Sequence, residues 1–376
     1  MAFSILQFGT SRFLQAHFDL FVDQGYAEGP GKGKIAVVQT TSSLDSARRL
    51  AFFDTGQPYT VRVRGLDGEK LVDQEVSVAS IGRGVDANAN WAEVERLFVD
   101  EARWIVSNTG DRGYELDEAD GSDAGVPRAF PAKLAKLLHT RFRAGRSPPT
   151  LFPCELIEDN GEKLRALVLQ VARQWRLGAD LERWLAEDCL WINSLVDRIV
   201  SEPLEPAGAV AEPYALWAVE NRPGLVMPCV HPDIVVADDL ARYVRLKLFI
   251  LNLGHTWLAE GWAARGADPK ALTRELLADS AIRDDLEDLY EREVQPVFDA
   301  LGLAAEAREY RASVMARFRN PFLDHWLTDI YRNQDAKKQR RFGGLIALAR
   351  EKGVAVEQPR LRAALALPLP VLTGRG

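Results

Sequence analysis

The chain has 376 residues, more than one hydrophobic core normally accommodates, and we therefore expect two domains. Its apolar and charged fractions are those of a globular protein and exclude a disordered or fibrous chain. The formal charge of −7, with no basic arm or tail, argues against a nucleic-acid partner and favours action on small molecules.

The start of the chain and its cysteines indicate a cellular compartment. Residues 1–9 contain no cationic segment followed by a long apolar one, and no stretch approaches about 18 uncharged apolar residues. We therefore expect no membrane partner and a cytoplasmic protein. Cys154, Cys189 and Cys229 are too few and too scattered for a disulfide framework or a structural zinc site, and no His or Cys pair has metal-ligand spacing. The sequence predicts no bound metal.

The N-terminal half begins with the strand-turn-helix pattern of a nucleotide-binding fold. An apolar strand at residues 4–8 leads through a turn at Gly9 into a helix predicted over residues 12–24. In a dinucleotide-binding fold this turn brings backbone N–H groups to a pyrophosphate at the start of the helix. Gly9 suits that role, but Ser11 and Leu14 replace later glycines of the usual G-x-G-x-x-G pattern. The alternative is a plain strand-turn-helix that does not bind a nucleotide.

The rest of this half continues the alternation of strands and helices. Two of the strands flank the Asp67-Gly68 turn and look like an inserted hairpin. The predicted segments are strand 34–40, helix 46–53, strands 59–64 and 75–81, helix 91–101, strand 104–109, helix 131–142, strand 150–157 and helix 160–175. This order predicts an α/β fold, with a Rossmann-type doubly wound, mainly parallel sheet over residues 1–190 as the dinucleotide-binding domain.

The second half changes to a helical pattern. Six prolines from Pro203 to Pro232 predict an irregular section, and helical periodicity then continues from Asp238 almost to the C-terminus. We predict that residues 191–376 form a mainly α-helical substrate and catalytic domain.

Polar side chains follow three of the predicted strands, at the sheet edge where such folds bind ligands. Gln39 occupies the position where an acid usually binds the adenosine ribose, and its side chain could bond to a ribose hydroxyl. Because Arg48 and Arg49 are nearby, either NAD or NADP could be the cofactor. Residues 107–109 either bind the cofactor or form a polar turn. Asn160 is either a ligand-binding amide or part of an ordinary Asn-Gly turn or helix cap.

The most informative stretch is the apolar run over residues 244–256, which contains Lys247, Asn252 and His255. In an α-helix, at about 100° per residue, these three side chains fall within an arc of about 140° and share a face. A lysine in such surroundings either reaches water along its stem or is partly desolvated, which favours the neutral amine. A neutral amine exchanges protons, while an amide and an imidazole hold a substrate oxygen, as carbonyl and alcohol chemistry requires. The alternative is a snorkelling lysine, a locally bonded amide and a satisfied core histidine.

Three further polar residues have both a chemical and a structural interpretation. Asp197 lies among apolar residues and is either a substrate-facing carboxylate or an internal partner of Arg198. His17 and His325, each taken alone, fit structural roles better than chemical ones.

Five blocks of this chain, in this order, resemble the mannitol dehydrogenase family, the polyol-specific long-chain dehydrogenases and reductases. The blocks are Gln7–His17, Val106–Thr109, Pro153–Gly161, Val196–Ile199 and Lys247–His255. One block alone is unspecific, whereas the five in order are specific and extend through most of the chain. They favour the chemical interpretation of the polar face around Lys247.

The resemblance implies metal-independent hydride transfer between NAD, with NADP left open, and a polyol or sugar acid. It implies that Lys247 is the general acid/base and that His255 orients the substrate. Asn160 and Asn252 would polarise the reacting oxygen.

The resemblance also implies binding residues. Asp197 and His325 would contact the substrate. The cofactor would lie over Gly9, Thr10, Ser11, Arg12, Phe13, Gln39, Ser107, Asn108 and Thr109.

Within the family, Pro153–Gly161 and Asn320–His325 look more like hexuronate reductases, which interconvert tagaturonate and altronate or fructuronate and mannonate. The chain is shorter than such enzymes usually are, and Ser11 replaces a fingerprint glycine. A mannitol or mannitol-phosphate dehydrogenase is therefore the alternative enzyme, with arginines of the helical half such as Arg242 and Arg341 available for a phosphate. A non-catalytic NAD-binding sensor is the alternative outside enzymes. The family suggests a monomer or weak dimer.

Overall fold

The computed structural model describes residues 3–110, 112–123 and 125–368. They fall into two compact units, each made of three chain segments. The N-terminal unit contains Met1–Val63, Gln74–Ala211 and Ala215–Leu240, and the C-terminal unit contains Arg64–Asp73, Glu212–Tyr214 and Ala241–Gly376.

The strands are short and lie almost entirely in the N-terminal unit. In chain order they are β1 (Ile5–Phe8), β2 (Ile35–Gln39), β3 (Tyr59–Asp67), β4 (Lys70–Val78), β5 (Ile81–Asp86), β6 (Trp104–Ser107), β7 (Thr150–Pro153), β8 (Leu190–Trp191), β9 (Ser194–Asp197), β10 (Val200–Pro203), β11 (Gly208–Ala211), β12 (Leu216–Glu220) and β13 (Ile234–Ala237).

The helices are divided between the units after α7. They are α1 (Arg12–Gln15), α2 (Phe18–Gly25), α3 (Leu44–Phe53), α4 (Trp91–Arg96), α5 (Phe130–Arg143), α6 (Asn160–Gln174), α7 (Ala179–Arg183), α8 (Ala241–Leu246), α9 (Leu253–Ala264), α10 (Thr273–Leu276), α11 (Ser280–Leu289), α12 (Gln295–Ala300), α13 (Ala304–Phe318), α14 (Leu327–Tyr331), α15 (Gln334–Lys338), α16 (Gly344–Glu351) and α17 (Pro359–Ala366). Five segments have π-helical hydrogen bonding: Leu97–Glu101, Trp184–Asp188, Lys247–Asn252, Tyr290–Val294 and Gln339–Gly343.

A six-stranded sheet with the order β5-β2-β1-β6-β7-β8 organises the N-terminal unit, and all its neighbouring strands are parallel. The strand order reverses direction between β1 and β6, which is the topological switch point where doubly wound sheets bind ligands. Every residue of β1, β2 and β6 is buried, as expected for a parallel sheet covered on both faces. The predicted Rossmann-type sheet is confirmed.

One strand of this sheet, β5, differs from the sequence prediction, which assigned Ile81 to a hairpin. The hairpin exists as β3 and β4, but Ile81 begins β5, which pairs in parallel with β2. A Cβ added at Gly84 would lie 2.4 Å from the carbonyl oxygen of Leu50, so α3 packs against backbone at this point. The glycines that permit this close packing also remove the apolar alternation that marks a strand.

The first predicted helix is divided into α1 and α2. The carbonyl of Gln15 accepts a hydrogen bond from the Tyr59 hydroxyl at 3.1 Å, and the carbonyl of Ala16 accepts one from Arg198 at 2.5 Å. Side-chain donors distant in sequence thus satisfy carbonyls at the break in the helix.

The domain boundary also differs from the one expected after residue 190. Residues 191–240 belong mostly to the N-terminal unit, because β8 joins the main sheet and β9, β12 and β13 form a further three-stranded sheet. Trp217 on β12 packs its ring against Phe18 and Phe152 at centroid distances of 5.4 and 5.5 Å. The proline-rich section is therefore strand-forming rather than irregular.

The C-terminal unit is mainly helical, as predicted. Its core contains fully buried side chains such as Leu253, Leu286, Phe298 and Phe342. None of the helices in the described ranges has the length and apolar composition that crossing a bilayer requires.

Candidate active site

Gly9 directly follows β1 at the switch point of the sheet. Its φ of +115° favours glycine, and a Cβ at this position would lie 2.5 Å from the carbonyl oxygen of Asn108. The N–H of Gly9 donates to Val38 and the N–H of Asn108 donates to Phe8, each at 3.0 Å. Three strand ends therefore converge here with no space for a side chain.

We expect Gly9→Ala to lower the free energy of unfolding by about 1 to 3 kcal/mol, because it adds a clash to a strained backbone. Denaturant unfolding measures this change. Gly56→Ala is the matched control, since Gly56 also has a positive φ, of +64°, but has no atom within 4 Å of an added Cβ. Equal losses in the two variants would contradict the close approach at Gly9.

The turn residues after Gly9 are held by internal hydrogen bonds. Ser11 caps α1 by accepting a hydrogen bond from the N–H of Leu14 at 3.2 Å. The carbonyl of Thr10 accepts a hydrogen bond from Arg49 at 3.0 Å.

The side chains of Arg12 and Phe13 are also engaged within this unit. Arg12 donates to the carbonyls of Leu204 and Gly208 and pairs with Glu205 at 2.7 Å. The ring of Phe13 lies 4.7 Å from that of His17. The backbone of the turn is thus better placed than these two side chains to meet a ligand.

Gln39 at the end of β2 has a buried acceptor. Its amide nitrogen donates to the carbonyls of Thr41 at 2.6 Å and Ser43 at 3.2 Å, whereas its side-chain oxygen has no hydrogen-bond partner among the residues described. A buried acceptor without a donor costs free energy, and a ribose hydroxyl would supply one. The end of β2 thus fits a dinucleotide.

Glu155, which the sequence analysis did not assign, organises residues 107–109. Its carboxylate accepts hydrogen bonds from the hydroxyls of Ser107 and Thr109 and from the N–H of Thr109, at 3.0 to 3.1 Å. Asn108 donates to the carbonyl of Cys154 at 2.7 Å. Burial raises the pKa of Glu155, although these donors oppose the shift. Glu155 is the second residue after β7, at the same sheet edge as Asn108, and this position could have identified it from the sequence.

Asn160 is fully buried at the start of α6 and joins three chain segments. Its amide nitrogen lies 3.0 to 3.1 Å from the carbonyls of Pro153, Glu155 and Ser194, and its oxygen accepts from the N–H groups of Ser194 and Gly161. Both amide hydrogens have acceptors in this arrangement. Donation to a substrate oxygen would require exchanging one of these bonds.

Asp197 and the unpredicted Asp19 are buried carboxyl groups of the same unit. Asp197 ends β9, where its backbone pairs with Leu216. Asp19 lies in α2 and accepts a hydrogen bond from the Tyr59 hydroxyl at 3.3 Å. Burial raises the pKa of Asp19 to about 7, although hydrogen bonds from Gln7 and Tyr59 act in the opposite direction. Since Gln7 also donates to the carbonyl of Gly9, at 3.4 Å, this group lies behind the first turn.

The raised pKa of Asp19 predicts that stability falls as pH rises from about 4 to about 7, because the folded chain keeps a proton that the unfolded chain releases. Asp19→Asn should remove this fall, which is on the order of 4 kcal/mol at about 1.4 kcal/mol per pH unit. Thermal unfolding at pH 4.5 and at pH 8, with exposed Asp45→Asn as control, measures the difference. Parallel pH profiles for wild type and Asp19→Asn would contradict the prediction.

Lys247, Asn252 and His255 are in the C-terminal unit, on one continuous helical run from α8 into α9. Residues 247–252 are π-helical rather than α-helical, with i→i+5 hydrogen bonding. A π-helical turn holds more residues than an α-helical turn, so side chains five residues apart are separated by a smaller angle than the α-helical arc predicted from the sequence. Lys247 is half-buried and so is Asn252. π-Helical turns frequently occur at functional sites.

His255 is 7% exposed and lies between two rings, Phe318 at 4.3 Å and His325 at 4.5 Å between centroids. Burial lowers its pKa well below the usual range, and His325, Arg341 and other cations act in the same direction. Its Nε2 has no hydrogen-bond partner among the residues described. The structure thus brings His325 to the face that carries Lys247, Asn252 and His255, whereas Asn160 and Asp197 belong to the other unit.

The cysteines are free and buried. In the described part of the chain, no three His, Cys, Asp or Glu side chains are grouped closely enough to hold a metal ion.

Two family models match most of the chain. The model of the mannitol dehydrogenase Rossmann domain matches residues 4–225, and that of the mannitol dehydrogenase C-terminal domain matches residues 239–366.

Curated relatives of high similarity include altronate oxidoreductases. The protein of that name from Bacillus subtilis (strain 168) is 32% identical over 380 residues, which cover 94% of this chain and 77% of the relative. The one from Yersinia pestis is 31% identical over 387 residues, which cover 96% and 78%.

Solved structures with the same fold include two polyol dehydrogenases. A substrate-free D-sorbitol dehydrogenase aligns with a TM-score of 0.78 at 21% identity, covering 93% of this chain and 76% of that one. Pseudomonas fluorescens mannitol 2-dehydrogenase in a ternary complex with NAD and D-mannitol aligns with a TM-score of 0.69 at 17% identity, covering 97% and 84%.

Proposed function

The chain belongs to the mannitol dehydrogenase family, and from that premise we propose that it is an NAD-dependent oxidoreductase of polyols or sugar acids. It interconverts the secondary alcohol of an aldonate with the matching keto-uronate, and the altronate/tagaturonate pair is the first to test because of the altronate oxidoreductase relatives. The observation that carries the proposal is the π-helical turn that narrows the angle between Lys247 and Asn252, on the same helical run as His255, whose buried Nε2 has no hydrogen-bond partner among the residues described.

The N-terminal unit would hold the dinucleotide at the switch point of its sheet. The backbone at Gly9 and Ser11 suits the pyrophosphate. The side-chain oxygen of Gln39 suits a ribose hydroxyl. Residues 107–109 complete this edge. When bound, the nicotinamide accepts the hydride in oxidation and donates it in reduction.

The C-terminal unit would handle the proton. In oxidation, the amine of Lys247 accepts the hydroxyl proton of the substrate, and in reduction it returns that proton to the same oxygen. The amide of Asn252 stabilises the oxygen while negative charge develops on it. The Nε2 of His255 bonds to a neighbouring substrate hydroxyl. We assign Asn160, whose amide bridges three carbonyls, to positioning the end of β7.

The test is to assay altronate, mannonate, mannitol and mannitol 1-phosphate with NAD and with NADP. We expect turnover with a sugar acid and NAD. Turnover with mannitol 1-phosphate alone would replace this proposal by a phosphate-specific dehydrogenase. Cofactor binding without turnover of any of the four would favour a non-catalytic sensor.

Two further features belong to the same proposal. We place the enzyme in the cytoplasm, where its three free cysteines would stay reduced. We expect a monomer or weak dimer, which analytical ultracentrifugation measures.

A further inference from the structure

Two cations of the C-terminal unit, Lys337 and Arg341, have no carboxylate partner among the residues described. Both are half-buried, and no Asp or Glu oxygen of the described ranges lies within 4 Å of their nitrogens. Their neighbours differ: Lys338 pairs with Glu260 at 3.0 Å, and Arg332 pairs with Asp329 at 2.8 Å.

The two cations are also close to each other. They are four residues apart on one helical run, from α15 into the π-helical turn Gln339–Gly343, so their side chains lie on neighbouring turns of the helix. Like charges at this spacing repel, and the charge of Arg341 disfavours the charged form of Lys337. Burial lowers the pKa of Lys337, with Arg341 acting in the same direction, and burial lowers the pKa of Arg341 to about 10.

Arg341 is hydrogen-bonded to the helical run that carries the candidate catalytic residues. Its Nη1 donates to the backbone carbonyl of Asn252 at 2.9 Å and to the hydroxyl of Thr256 at 2.6 Å. Thr256 follows His255 directly, and both Arg341 and Lys337 contribute positive potential at the buried imidazole. Nη2 and Nε of Arg341 make no hydrogen bond within the described residues. A guanidinium edge is thus left for a ligand.

The other arginine near His255, Arg317, has a carboxylate partner in this unit. Arg317 binds Glu212 through two hydrogen bonds, at 2.8 and 2.9 Å. Lys337 and Arg341 have no such partner. Lys337 donates to the backbone carbonyl of Ile330 at 2.5 Å, which is a neutral acceptor. Two half-buried cations with no carboxylate among the residues described favour an anionic ligand, and a planar carboxylate matches the arginine fork.

We propose that Arg341 and Lys337 bind the carboxylate of an acidic sugar substrate and so make the enzyme specific for aldonates over neutral polyols. This inference rests on the proposed function and adds to it the residues that select the substrate class. Arg341 is bonded to the backbone carbonyl of Asn252, so the bound carboxylate would lie near the helical run that carries the amide proposed to hold the reacting oxygen.

The experiment measures binding of altronate and of altritol, its neutral alcohol counterpart, by isothermal titration calorimetry on the full chain without cofactor and with NADH. Wild type should bind altronate more tightly than altritol. Arg341→Gln and Lys337→Gln should each weaken altronate binding by about 10- to 100-fold and leave altritol binding unchanged. Arg341→Lys should restore part of the altronate affinity. Arg350→Gln, an exposed arginine on the following helix, is the matched control.

Two outcomes would overturn the inference. One is wild-type altronate affinity in both glutamine variants; the other is an equal loss for altronate and altritol, which would indicate a structural role. If Arg341→Gln does not fold, Lys337→Gln decides the question. Altronate binding that depends on Arg341 but gives no NAD reduction would refute the proposed reaction and not this site. NAD reduction with altronate that neither variant affects would refute this site alone.

Discussion

Lys247→Ala is expected to slow oxidation of the substrate alcohol by about 10²- to 10⁴-fold, because the variant lacks the group that accepts the hydroxyl proton. The effect should fall on kcat, with a smaller change in KM, since substrate binding depends on other side chains. Steady-state kinetics with the substrate identified by the panel above measures both values.

Lys270→Ala is the matched control for this variant, because Lys270 is an exposed lysine of the same unit. It should turn over substrate at the wild-type rate. Wild-type turnover by Lys247→Ala at neutral pH would remove the general acid/base from the proposed mechanism.

In the wild type, oxidation should gain rate as pH rises and reduction as pH falls, because oxidation releases the proton that reduction consumes.

Glu212→Gln is expected to destabilise the C-terminal unit by about 3 to 5 kcal/mol, because it leaves the charge of Arg317 buried without its partner. Both side chains of this pair are 2% exposed, and the contact is bidentate. Arg317 also lies with its guanidinium 4.3 Å from the centre of the Tyr214 ring, so it cannot move to water without losing that packing. Denaturant unfolding followed by helical circular dichroism measures the loss.

A double variant, Glu212→Leu with Arg317→Leu, separates charge from packing. It should recover most of the stability lost in Glu212→Gln, because two apolar side chains leave no uncompensated charge. Glu69→Gln serves as the control: Glu69 pairs with Arg319 at 3.2 Å but is 88% exposed, so little stability depends on it. A loss in Glu212→Gln no larger than in Glu69→Gln would contradict the expectation.

Apolar periodicity predicted the larger elements because it directly reflects burial. The strand that ends at Phe8, the strand from Trp104 and the helix from Asn160 were predicted close to their observed positions for this reason. The alternation of these elements was sufficient to predict the parallel sheet. In β5, the residues that permit close packing are glycines, and glycine carries no periodicity; only Ile81 of this strand was predicted, as the last residue of the hairpin.

The remaining differences depend on partners distant in sequence. The break after α1 requires donors from Tyr59 and Arg198, and the pairing of Glu212 with Arg317 joins residues 105 positions apart. The π-helical turn at Lys247 has no signature in the order of its residues. Lys247, Asn252 and His255 were predicted to share a face, but the angle between them depends on that turn. Arg341 contacts this helical run only through the fold, since it lies 85 residues after Thr256.

The three-segment composition of the C-terminal unit restricts how this protein can be dissected or recombined. A fragment beginning at Ala241 would omit Glu212 and the hairpin tip, and so would leave Arg317 without its carboxylate and Asn320 without the carbonyl of Arg64 that its amide contacts at 3.2 Å. Exchange of substrate preference between relatives by swapping a single C-terminal block should therefore fail unless residues 64–73 and 212–214 are transplanted with it. The C-terminal unit is therefore assembled from three separate chain segments and cannot be removed as one continuous piece.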